Sequence, residues 1–225
     1  MLVHIHKKYL MRMHLIFALV LIMSSSSIAQ QNNPALAGQY SVLPESKLWF
    51  EGASTLHDYS VNANIINGTI MISQMQNPSP LTVSSDTFVK NVFNFAFENT
   101  RITLPVKELK SAHEGLDKKM YETMNAEKYP EITFVLSEKF SVTLNPDTSF
   151  SVEKQIAGEL TVAGKTQIIE IPVKAYFLPE NKIRITGSKE LLMSSFGMKK
   201  PTFLIVFRTA DEVKVYFDIY LKQVH

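Results

Sequence analysis

No cysteine occurs anywhere in the 225 residues. Disulfides, thiol nucleophiles and zinc–thiolate sites are therefore excluded, and so is a lipid-modified cysteine behind an export signal. Histidine is nearly as scarce: beyond residue 29 only His57, His113 and His225 remain, and no His-x-His or His-Glu-x-x-His spacing occurs. A metal centre is not expected from so few ligands, and no cofactor is assigned. There is no Gly-x-Ser-x-Gly elbow of the hydrolase type. No internal repeat is visible either, which argues against propellers and solenoids.

Long apolar runs are also missing. The longest, Leu15 to Met23, is too short to span a bilayer. Lys7, Lys8 and Arg12 precede it, and Ser27-Ile28-Ala29 follows it as a small-x-small cleavage signature. Residues 1–29 thus read as a secretory signal peptide, which places the mature protein in the periplasm or outside the cell, not stably inserted in a membrane. Removing the three leader cations from 23 Lys and Arg leaves 20 against 21 acids. A near-neutral chain lacks the basic footprint of a nucleic-acid binder, so that class is set aside. About 196 residues remain, 45% of the whole chain being apolar, enough for one domain held by its own core.

What is present is alternation. Residues 30–38 are small and polar and read as a flexible segment before a domain covering 39–225. Tyr40 to Val42 and Lys47 to Glu51 read as a strand pair or one bent strand, and Tyr59 to Ile72 as one long strand with a bend at Gly68. Further strands are expected over Glu131 to Thr143, Phe150 to Val162, Thr166 to Leu178, Lys182 to Leu192 and Thr202 to Thr209. A turn at Ala210-Asp211-Glu212 then leads into a final strand. In two of these strands Ile169, Ile171, Val173, Ala175 and Phe177, and Val213, Val215, Phe217, Ile219 and Leu221, take one face. Residues 73–100 contain a loop at Asn77-Pro78-Ser79-Pro80. Their aromatic run, Phe88 to Phe97, leaves a hairpin, a short helix and an apolar flap open. Short turns between successive strands make an antiparallel meander, which must pair as two sheets or close as a barrel.

Arg101 to Leu136 carries the one good helix candidate. Leu116, Met120 and Met124 fall four apart, Ser111 with Glu114 suggests a capping box, and Tyr129-Pro130 is expected to end it. A short amphipathic helix among strands reads as a lid or plug. Ser54, His57 and Asp58 look like a catalytic cluster, but triad partners normally come from separate elements. Turn hydrogen bonds by Ser54 and Asp58, with His57 at a rim, account for them more simply.

Leu109-Lys110-Ser111, then Asp117, Met120-Tyr121 and Lys128-Tyr129-Pro130-Glu131-Ile132-Thr133-Phe134, resembles the central motif of the YceI-like family. Tyr40 to Glu51 with Gly52 to Asp58 is similar to its opening strands in the form common in Bacteroidetes, Ala157 to Gly164 to its Gly-x-Leu-Thr-x-x-Gly hairpin, and Ser194 to Met198 to its late Phe-Gly segment. The resemblance covers Gln39 to Lys222. It implies a mainly β protein, an antiparallel eight-stranded lipocalin-like barrel with a short capping helix that holds a polyisoprenoid or related long-chain lipid. On that reading Trp49, Phe134, Ile171, Val173, Phe177, Val215, Phe217 and Ile219 are the strand residues expected against the ligand. Met120 and Met124 join them from the helix, and His57 from the rim.

The expected role is a non-enzymatic carrier working by burial, with no catalytic residues. The rivals are a filled barrel serving as an envelope interaction module and, less favoured, a hydrolase using His57 and Asp58. Tyr216, Asp218 and Tyr220 on the outer face of the last strand offer a surface for a homodimer.

Overall fold

The structure, a computed structural model, describes residues 36–54, 58–75, 93–144, 151–199, 202–203 and 207–224. In chain order the strands are β1 (Gly38–Val42), β2 (Lys47–Ser54), β3 (Tyr59–Ala63), β4 (Asn67–Met75), β5 (Phe93–Pro105) and β6 (Leu109–Ser111). After the helix α1 (Glu114–Thr123) come β7 (Glu131–Leu136), β8 (Phe140–Leu144), β9 (Ser151–Val162), β10 (Lys165–Leu178), β11 (Lys182–Leu192), β12 (Thr202–Phe203) and β13 (Phe207–Gln223).

The expected meander is present, and it closes. Strands β1, β4, β5, β7, β9, β10, β11 and β13 pair in that order, and β13 pairs back to β1, giving a closed antiparallel barrel of eight strands. β1 and β2 share one edge of β13, β1 along Leu221 to Gln223 and β2 along Thr209 to Asp218. β3 and β4 likewise share the next place, against β2 and β1. Closure leaves few sheet edges exposed, which removes templates for aggregation.

Several expected strands are broken. Tyr59 to Ile72 is two strands separated at Asn64 to Ile66, so each half faces a different neighbour. Glu131 to Thr143 is also two: β7 bridges β5 and β9, while β8 turns onto β5. The turn expected at Ala210 to Glu212 is absent, because β13 runs through it and takes up the irregularity as a register shift against β2 between Thr209 and Val213. Residues 76–92 lie outside the described residues, but the end of the aromatic run is strand, with Phe95 and Phe97 buried.

The tight turn at Ala163-Gly164 is present with φ of 50° and 76°. Positive φ at both central positions suits the twist of a two-residue hairpin. A side chain at Gly164 would also run into the Tyr129 ring.

Helix α1 lies where the sequence puts it, with different ends. His113 is the N-cap and no capping box forms. Instead the buried Asp117 reaches back from the first turn to accept the Ser111 N–H at 2.7 Å, tying the helix to β6. The helix stops before Tyr129-Pro130 because Asn125 takes a left-handed φ of 50°. The Asn125 N–H then bonds the Glu122 carbonyl and the Ala126 N–H the Tyr121 carbonyl, the pattern of a Schellman cap. That cap buries Ala126.

Two apolar clusters fill the barrel ends. One joins Leu36, Tyr40, Ile72, Phe95, Phe177, Ile183 and Leu221; Leu36 belongs to the stretch expected to be flexible. The other joins Val61, Val106, Leu109, Met120 and Met124 to Met193, Phe196 and Met198. In the first, the Tyr40 hydroxyl is buried with no hydrogen-bond partner among the described residues. Burial pushes its phenol up to about 12, and raises Tyr59 in the same direction. The unfolded chain ionises tyrosine near 10, so between roughly pH 10 and 12 the unfolded state sheds a proton that the folded state keeps. Stability is full below pH 10 and falls by about 1.4 kcal/mol per pH unit as pH rises through that window. Tyr40→Phe is expected to gain about 1 kcal/mol at pH 7, by removing a desolvated hydroxyl. It should also soften the alkaline loss, with thermal melts from pH 7 to 11 as the check. A lower melting temperature at pH 7 would show the hydroxyl to be bonded.

Candidate functional site

Between the two clusters the barrel is hollow. A cavity of about 250 Å³ runs from Met124, Met193, Phe196 and Met198 at the helix end to Ile70, Phe97, Val142 and Ile219 near the other. A single water needs only about 10–15 Å³, so this is a chamber and not a packing defect. Its walls are almost wholly apolar, and the only polar side chains among the described lining residues are Thr100, Lys154 and Lys189.

The wall follows from period-two alternation. Opposite residues of an antiparallel pair share a face, so Ile171 with Ile156, Val173 with Lys154 and Ala175 with Val152 all point inward. Val215 and Phe217 on β13 do the same beside Phe50 and Leu48 of β2. On β11, Gly187 lies between Val173 and Phe217. A Cβ there would stand 2.5 Å from the Phe217 ring and from the Pro172 carbonyl, so glycine lets the ring lean across the strand.

Met124, Phe134, Ile171, Val173, Val215, Phe217 and Ile219 are brought together on the cavity wall. Phe134 lies against Gly158, where a Cβ would run into its ring. Met120 and Phe177 are buried in the end clusters behind the wall. Trp49 stands on the outer face, stacked on Tyr216 at 5.2 Å with its indole N–H directed to Glu51. The reason is register: Leu48 and Phe50 take the inner positions of β2, so Trp49 between them must point out. His57 lies outside the described residues, and Asp58 is exposed. The sequence reading missed most of the wall, notably Lys154 and Lys189, although Val152-x-Lys154-x-Ile156 shows the same alternation.

Outside, the three residues proposed for a dimer are engaged within the chain. Tyr216 stacks on Trp49, and Asp218 accepts two hydrogen bonds from Arg184 at 2.7 and 2.8 Å. Arg184 also covers the Tyr176 and Tyr220 rings. The hydrogen bond to Asp218, chiefly, raises the guanidinium pKa. Among the described residues there is no cluster of three metal-ligating side chains and no helix long and apolar enough to cross a membrane.

A hollow eight-stranded barrel plugged by one short helix is the geometry the sequence motifs implied, and the model of the YceI-like domain matches residues 44–221. The chain belongs to the YceI-like family. Two solved structures share the YceI-like fold at low identity. One is a polyisoprenoid binding domain from Saccharophagus degradans implicated in plant cell wall breakdown, 10% identical with a TM-score of 0.57, covering 82% of this chain and 98% of that one. The other is BcnA of Burkholderia cenocepacia, 16% identical with a TM-score of 0.52, covering 78% and 95%. Comparison with curated proteins finds no match.

Proposed function

We propose that this YceI-like protein is an exported carrier of a long apolar molecule, a polyisoprenoid or related lipid, held inside the barrel without chemical change. The observation that carries the reading is the cavity itself: long, apolar, and bordered among the described residues by no acid and no histidine. Burial alone can then hold a chain, since each methylene taken from water contributes about 0.8 kcal/mol. The polyisoprenoid-binding domain that shares the fold supports the same class of ligand. The hollow interior also favours a carrier over a filled interaction module. A hydrolase using His57 and Asp58 gains no support from a wall whose described residues include neither of them.

Met124, Phe134, Ile171, Val173, Val215, Phe217 and Ile219 are the proposed contacts, with Met120 and Phe177 behind them. Export rests on residues 1–29 and predicts a mature chain that begins at Gln30. Native mass spectrometry of protein purified from its own cell envelope should show a mass increment that organic extraction removes and that matches one lipid. Protein that carries no lipid, and binds none from an envelope extract, would sink the proposal. Ester turnover that disappears in a His57→Ala variant would favour the hydrolase.

A further inference from the structure

Two lysines point the wrong way for a barrel that holds only hydrocarbon. Lys154 lies opposite Val173, and Lys189 opposite Val215, so both occupy inward positions of the wall. Neither has an ion-pair partner among the described residues, and no acid borders the cavity. Lys154 is exposed and Lys189 half-buried. With described walls that are apolar apart from Thr100, both must line the cavity with their methylene stems and hold the ammonium at its edge.

Both stand where the wall is unzipped. The β7–β9 ladder ends at Leu136 and Gly158, and β8 pairs with β5, so among the described residues Val152–Ile156 of β9 pair only with β10. The β10–β11 ladder ends at Val173 and Gly187, next to Pro172, which has no N–H to continue it. Beyond that point β11, including Lys189, pairs only with β13. Lys154 and Val173 border both the cavity and an open groove on the outer surface. The two lysine-bearing strands flank β10 and stand about 10 Å apart across it.

We infer that the ligand is an amphipath whose chain fills the cavity and whose anionic head, a carboxylate or a phosphate monoester, is met by Lys154 and Lys189 at these lateral breaks. The inference rests on the carrier reading and narrows it. Lysine suits the task because its compact ammonium meets such a head as a point charge without needing a fixed fork geometry. The competing use of an inward-pointing charge is to guard an unpaired strand edge against association with another sheet.

Titration of the delipidated protein separates these. Palmitate is compared with hexadecanol, and geranylgeranyl monophosphate with geranylgeraniol, at low and high salt. Each anion is expected to bind at least tenfold more tightly than its alcohol, with salt eroding the difference. The acid pair against the phosphate pair identifies which head is preferred. Lys154→Met with Lys189→Met keeps the apolar stems, and should bring each pair within about twofold. Equal affinity for anion and alcohol in the wild type would overturn the inference and leave the carrier standing. Failure to bind any of the four would remove both. A double variant that keeps the preference but self-associates would assign the lysines to edge protection. Should that variant not fold, the wild-type comparison still decides.

Discussion

Val173→Trp is expected to weaken binding of a long chain about a thousandfold while leaving the melting temperature within a few degrees of wild type. Val173 is buried on the cavity wall midway along β10, between Lys154 on one neighbouring strand and Gly187 on the other. An indole there fills space a bound chain would otherwise use. Keeping about five methylenes out of the barrel forfeits roughly 4 kcal/mol, which is close to three decades in Kd. In a solid core the same enlargement would cost about 1–3 kcal/mol of stability through forced rotamers. The two readouts therefore move oppositely for a hollow and a filled interior. Unchanged affinity, or a protein destabilised by several kcal/mol, would show that the chamber does not hold the ligand at this level.

Leu221→Ala is expected to cost about 3–4 kcal/mol of stability, within the range for deleting a fully buried leucine. For a chain of this size that is a fall of roughly 10 °C in melting temperature. Leu221 is fully buried and lies where the barrel closes, opposite Val42 of β1 on one side and Ile183 of β11 on the other. Truncating it opens a void among Tyr40, Ile72, Phe177 and Ile183, none of which borders the chamber. Val173→Ala removes less and does so beside existing empty space, so it should cost clearly less than Leu221→Ala. Scanning calorimetry of the two apo variants makes the comparison, because bound lipid would raise both melting temperatures. Equal losses would mean that the wall around Val173 is packed as tightly as the seam.

How far the sequence went can be read from particular residues. The alternation Val213, Val215, Phe217, Ile219, Leu221 placed an inner face correctly because a strand in a one-sided sheet has little other choice. The same rule, applied to Leu48 and Phe50, would have sent Trp49 outward; its apolar character misled because a tryptophan can also bury against an outer tyrosine. Breaks such as the one between β7 and β8 were illegible, since a strand that changes partner keeps its local pattern. The stop of α1 at Asn125 was equally hidden, because asparagine tolerates left-handed backbone without advertising that it will adopt it.

By itself the sequence determined a cysteine-free β domain, which face of most strands turns inward, where a single helix interrupts them, and family membership through four ordered motifs. Strand periodicity, as distinct from the resemblance, could not determine that β13 returns to β1, or that eight closed strands leave a chamber between two packed ends. Those depend on strand number and stagger, set by pairings between residues such as Tyr40 and Gln223 at opposite ends of the chain. Alternation fixes the direction in which a side chain points, but only the closed radius decides whether it meets another across the middle.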